Sequence, residues 1–123
     1  MRIAGTALMA LLLGGAPALA SDITGTWQRE DGASRVRIAP CGGDAVCGHV
    51  TWLRDPGKTP AKVGQRVFYD MKPDGDAWKG SAFNPEDGKT YVGKASMSGG
   101  TLTTKGCALA GLICKSYSWS RVN

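Results

Sequence analysis

Histidine is almost missing from this chain of 123 residues: His49 is the single one. No Cys-x-x-Cys occurs, no Gly-x-Ser-x-Gly, and no group of His and carboxylates at metal-ligand spacing. Each absence removes a chemistry. Dithiol redox work lacks its motif, a nucleophile elbow is missing, and a Ser-His-Asp triad has only His49 to draw on. That residue alternates with Val50 and Trp52, which the pattern turns inward, so His49 is expected on the outer surface. Asp70, Asp74, Asp76, Glu86 and Asp87 fall in turn-like segments, where carboxylates cap and solubilise and lack the burial that tunes them for proton transfer. The glycines form no phosphate cradle. The expectation is a protein that is not an enzyme and carries neither cofactor nor metal.

Long apolar runs are scarce too. The longest, residues 7–16, is interrupted only by Gly14 and Gly15, follows the positive start Met1-Arg2, and precedes Ala18-Leu19-Ala20. This arrangement reads as a Sec-type signal peptide over residues 1–20, removed on export. No stretch approaches the roughly 20 residues needed to cross a bilayer as a helix, so a soluble periplasmic or secreted protein is expected. No cysteine follows the cut, which argues against a lipid anchor there, and no Arg-Arg pair points to folded export. Residues 21–123 are enough for one domain and too few for two.

Charge of one sign is never concentrated in a run. The chain has 15 Lys and Arg against 10 Asp and Glu, and the surplus is spread without a block of five like charges, giving a mild preference for anionic partners. With no compact basic stripe and an exported destination, nucleic acid is not an expected partner.

What the sequence does have is glycine and cysteine. All four cysteines follow the signal peptide, and an even number in an exported chain points to two disulfides. A tetrathiolate zinc site is the competing reading, but it favours two-residue spacers, whereas five residues separate Cys41 from Cys47 and six separate Cys107 from Cys114.

Eighteen glycines punctuate short runs of two-residue periodicity, which is the signature of an all-β chain with frequent turns. Eight strands are expected: Gly25 to Arg29, Ser34 to Ala39, Cys47 to Leu53, Gln65 to Asp70, Ala77 to Phe83, Lys89 to Met97, Leu102 to Gly106 and Cys114 to Val122. Near the end, Tyr117, Trp119 and Arg121 share one face while Ser116, Ser118 and Ser120 share the other. Tyr91, Gly93, Ala95 and Met97 repeat the scheme. One face is therefore buried, and its mixture of large rings with glycine and alanine suits a strongly curved sheet. Eight short antiparallel strands joined by hairpins most economically close into an up-and-down barrel, since closure removes both edges. A two-sheet sandwich is the alternative.

The chain ends support closure. Gly25-Thr26-Trp27 opens the first strand and Trp119-Ser120-Arg121 closes the last, and in a closed meander these strands are neighbours. Arg121 can then lie over the Trp27 ring and satisfy carbonyls at the barrel floor.

Taken together, Gly25-x-Trp27, Cys41-Gly42, Val46-Cys47-Gly48, Val50-x-Trp52-Leu53, Trp78-x-Gly80, Asn84-Pro85-Glu86-Asp87-Gly88-Lys89-Thr90-Tyr91, Gly106-Cys107, Cys114 and Trp119-x-Arg121 resemble the domain-of-unknown-function 2147 family (DUF2147). The match spans nearly all of residues 21–123. The resemblance implies a small exported bacterial protein with a lipocalin-like, or calycin-like, barrel, and it implies no activity. Gly25-x-Trp27 with the late Arg121 also resembles the lipocalin signature at the closed end of the barrel.

In such a meander, odd-numbered turns lie at one end and even-numbered turns at the other, separated by roughly 23 Å for strands of about seven residues. Cys41 and Cys47 bracket the second turn; Cys107 and Cys114 bracket the seventh. A disulfide needs Cα atoms within about 7 Å, so in this topology the pairs are Cys41–Cys47 and Cys107–Cys114. Trp27 and Arg121 fall at the even end, leaving the odd end as the mouth. Trp52, Tyr91 and Tyr117 are expected to point inward there, with Leu109 beside them from the loop Ala108 to Ile113, as contacts for a small apolar or amphipathic ligand. The competing reading is that these rings fill a narrow barrel, whose loops then contact a membrane surface or another protein. The loop itself either packs inward as a plug or turns outward as an apolar patch.

Overall fold

The computed structural model describes residues 23–122. The expected signal peptide lies outside the described residues. Eight strands follow one another in the order β1 Gly25–Arg29, β2 Ser34–Gly42, β3 Ala45–Leu53, β4 Arg66–Asp74, β5 Ala77–Asn84, β6 Lys89–Ser98, β7 Thr101–Ala108 and β8 Ile113–Arg121. Each pairs antiparallel with its predecessor, and β8 returns to β1 to close the barrel. The closing ladder sets Trp27 against Arg121, Gln28 against Ser120 and Arg29 against Trp119. Among the described residues, no strand edge is left to pair with another chain.

The even-turn half is a packed core. Trp27, Trp78, Ile23, Met71, Leu102 and Val46 are fully buried there. The Trp27 indole donates to the Ile23 carbonyl at 2.9 Å. Arg121 stacks over that indole at 4.3 Å from the ring centre and donates to the Thr24 carbonyl at 2.8 Å. One polar atom in this floor is stranded: among the described residues, the Trp78 indole nitrogen is the buried side-chain polar atom with no acceptor.

Several ladders slip in register, and two of these irregularities bear on the site. In β4, Asp70 takes a left-handed φ of 45°, and the pairing with β5 slips between Tyr69 and Lys72. The bulge keeps both Phe68 and Met71 buried and carries β4 on through Asp74, beyond the end that the alternation suggests at Asp70. It also brings the Tyr69 and Asp70 carbonyl oxygens to 2.5 and 2.6 Å of where a Cβ on Gly80 would sit, so only glycine fits opposite. Gly48 has the same role for a side chain, since the Phe68 ring would lie 2.7 Å from its Cβ.

The second irregularity corrects an expectation. Arg35 pairs with Trp52 and Val36 with Val50, so Thr51 is an extra residue in β3. A bulge inverts the in-and-out alternation beyond it. Val50 and Leu53 therefore stay buried while Trp52 turns to the outer wall, 38% exposed, beneath the Arg35 guanidinium at 4.7 Å. Trp52 is not an inward contact.

His49, between Gly48 and Val50, faces outward and accepts from Arg66 Nε at 3.3 Å. The disulfides join Cys41 to Cys47 and Cys107 to Cys114. Asp70 lies near the first of them, but sulfurs already bonded to each other are not thiolate ligands.

Candidate functional site: the mouth of the barrel

The odd-turn half is not filled. A cavity of about 670 Å³ opens there, reached between the four odd-numbered turns, within the range of small-ligand sites. Its wall is apolar: Val36 of β2, Val50 of β3, Val67 and Phe68 of β4, Ala82 of β5 and Trp119 of β8. Phe68 and Trp119 meet edge to face with ring centres 6.3 Å apart, which fixes the orientation of both. At depth, the Trp119 indole donates to the Thr104 hydroxyl at 2.8 Å. Thr104 is the buried polar side chain of the described core, 3% exposed. Its own proton remains available to a group entering the cavity, because a hydroxyl both accepts and donates.

The rim is polar, and its parts are tied together. The long connection Arg54 to Gln65 begins with a 3-10 turn, Pro56–Lys58. Arg54 Nη1 donates to the Asp31 carbonyl at 2.9 Å and the Thr59 hydroxyl donates to Glu86 at 2.8 Å. These two bonds pin the connection to the β1–β2 turn on one side and the β5–β6 turn on the other. The opening is thus held without a helix across it.

Tyr117, inward on β8, carries a guanidinium and an ammonium near its ring, Arg29 at 4.5 Å and Lys115 at 5.7 Å. Arg29 is forked onto Asp31, with Nη2 at 2.7 Å and Nε at 3.0 Å. That bond raises the Arg29 pKa and lowers the Asp31 carboxyl to about 2. Lys58 and Lys115, by contrast, have no carboxylate in ion-pair reach among the described residues. On β6, Tyr91 donates its hydroxyl to Asp87. That bond holds Asp87 below the usual carboxylate range, helped by the Lys89 N–H, and pushes the Tyr91 phenol up. The rim therefore presents fixed charge of both signs around two partly buried phenol rings.

Of the four residues that the sequence nominates as contacts, three by alternation and Leu109 from its loop, Tyr91 and Tyr117 line this cavity. Trp52 does not, for the reason given by the β3 bulge. Leu109 does not either: it sits in the short turn Leu109–Gly111, 65% exposed. The Cys107–Cys114 bridge and left-handed φ angles at Leu109 and Ala110 hold the loop outward, so of the two orientations open to the loop the structure has the outward one. Phe68, Trp119, Thr104 and the Arg29–Asp31 pair are site residues that sequence reasoning did not nominate. Trp119 was legible as an inward ring, and Arg29–Asp31 is a contact between residues two apart in the chain; Phe68 and Thr104 depend on register across the β3–β4 and β7–β8 ladders, which no local pattern carries.

Comparison with known proteins agrees with this geometry. The family model described as "Uncharacterized protein conserved in bacteria (DUF2147)" matches residues 25–121. A solved structure titled "Protein HP1028 from the human pathogen Helicobacter pylori belongs to the lipocalin family" superposes with a TM-score of 0.66 at 17% identity, covering 82% of this chain and 83% of that one. At that identity the likeness concerns the fold. No curated protein matches the chain.

Proposed function

The chain belongs to the DUF2147 family, and from that premise together with its lipocalin-like barrel we propose that it binds a small apolar or amphipathic molecule in the mouth half of the barrel. The observation that carries this reading is the contrast inside one barrel. Large side chains are fully buried at the floor, yet about 670 Å³ is left open above them. Burying an apolar body against Val36, Val50, Phe68 and Trp119 contributes about 25 cal/mol per Å² removed from water. Tyr91 and Tyr117 supply flat contact at the entrance, and Thr104 supplies one donor at depth.

Lys58 and Lys115, with no carboxylate in ion-pair reach among the described residues, favour a polar or anionic end at the rim, while Asp87 and Glu86 keep the rim from being uniformly positive. The two disulfides and the bacterial family are consistent with export, and we place the protein in the periplasm or outside the cell after removal of residues 1–20. Native mass spectrometry on protein taken directly from the periplasm tests the reading. A reproducible added mass, lost on denaturation and reduced in Tyr117→Ala, supports it; a bare chain mass in protein that also fails to bind any apolar probe overturns it.

A further inference from the structure

The outer wall carries a feature that meets the cavity's lining only at Lys105. Lys72 of β4 stands directly opposite Lys79 of β5, Lys79 opposite Lys94 of β6, and Lys94 opposite Lys105 of β7. All four are exposed. Directly opposed residues share a face, and like charges in that relation repel. Across three strand spacings, about 14 Å, the barrel thus holds a row of four ammonium groups, none with a carboxylate in ion-pair reach among the described residues. Positive charge spread along the chain is thus gathered in space. The lysines are far apart in the chain, and antiparallel register collects them.

The sequence contains the other half of the pattern. All ten acidic residues lie at or before Asp87, and after it come Lys89, Lys94, Lys105, Lys115 and Arg121 with no acid among them. Asp70 and Asp74 flank the lysine row only at its β4 end. On the far side of the row, Ser96 faces Thr103, and these hydroxyl residues border a shallow cleft of about 140 Å³ together with Lys94 and Lys105.

Toward the mouth, the same wall becomes apolar. Val92 is 45% exposed, and β7 leads into the tip where Leu109 and Leu112 are 65% and 84% exposed. Leu109 and Ala110 hold left-handed backbone angles of 51° and 57°, a conformation that residues with a Cβ disfavour. The tip is kept in water although open space lies in the barrel beside it. Its few side chains are far short of the roughly 800 Å² per partner of a stable protein interface. Apolar side chains beside a row of lysines instead match the boundary between acyl chains and negatively charged headgroups.

We propose that this wall docks on an anionic phospholipid bilayer, with Leu109 and Leu112 entering the headgroup boundary and Lys79, Lys94 and Lys105 meeting lipid phosphates. The docking stands apart from ligand binding, and its test uses residues that do not line the cavity. The protein is sedimented with vesicles of phosphatidylcholine containing about a quarter phosphatidylglycerol, and with pure phosphatidylcholine vesicles. The expected result is binding to the first only, lost as salt rises from about 0.05 to 0.5 M. Lys79→Gln/Lys94→Gln lowers partitioning by roughly tenfold or more with no fall in thermal midpoint, since like-charge repulsion is relieved. Leu109→Ser/Leu112→Ser lowers it by a similar factor and leaves the barrel folded. Equal sedimentation with both vesicle types, or binding unchanged in both double variants, overturns the proposal. So does self-association in sedimentation velocity that Leu109→Ser/Leu112→Ser abolishes, because the tip then belongs to a second copy of the chain.

Discussion

The two ends of this barrel are built from the same strands and answer different demands. At the floor, Trp27, Trp78, Met71 and Leu102 are fully buried, and Arg121 ties the last strand over the Trp27 ring. At the mouth, the inward positions on the same strands carry smaller or half-buried groups, Val50, Ala82, Gly106 and Tyr117, and a cavity of about 670 Å³ results. Each end has its own disulfide, so cross-linking does not account for the contrast. What differs is side-chain volume: the largest fully buried side chains, Trp27 and Trp78, stand at the floor.

Mutation sharpens the contrast. Trp27→Ala at the floor is expected to cost about 3–5 kcal/mol, the range for deleting a buried ring, and urea unfolding reads it directly. Removing Cys107 and Cys114 together by serine substitution costs about 2.5 kcal/mol by loop entropy. The Cys41–Cys47 pair costs about the same, yet only loss of the mouth bridge alters ligand dissociation. Tyr117→Ala weakens ligand by roughly tenfold while lowering stability by only about 1–2 kcal/mol, because the ring is half-buried; a calorimetric titration and a melt together separate the two effects. Trp52→Ala, on the outer wall, changes stability by about 1 kcal/mol or less through its stacking with Arg35 and leaves ligand affinity unchanged.

The smallest effect concerns pH. Asp31 has its carboxyl lowered to about 2 by Arg29, below its ordinary value near 3.8. A depressed carboxylate stabilises the folded state above its unfolded pKa, and that contribution is lost as pH falls from about 4 through about 2. The pair is exposed, so the loss is under about 1 kcal/mol. Asp31→Asn should flatten this part of the acid unfolding curve relative to wild type without shifting the floor transition.

Much of this was legible in the chain. Alternation in Tyr117-Ser118-Trp119-Ser120-Arg121 places the last strand, Gly25-x-Trp27 with Arg121 points to the floor, and topology alone pairs the cysteines. The two failures have one physical cause each. Trp52 obeys a period of two that a single inserted residue, Thr51, inverts. Leu109 is apolar, and apolarity argues for burial, but a short bridged turn with left-handed angles turns it to solvent. The lysine row shows the converse: residues that look scattered along a chain become neighbours when register aligns them, and register is a property of pairs of strands.

The most direct test of an open mouth above a filled floor is to fill the mouth. Ala82 lines the cavity wall, and Ala82→Phe places a ring in that space. With an apolar fluorescent probe such as anilinonaphthalene sulfonate, the account predicts saturable binding to the wild type, its loss in Ala82→Phe, and an unchanged thermal midpoint. Undiminished probe binding by a folded Ala82→Phe variant would contradict it.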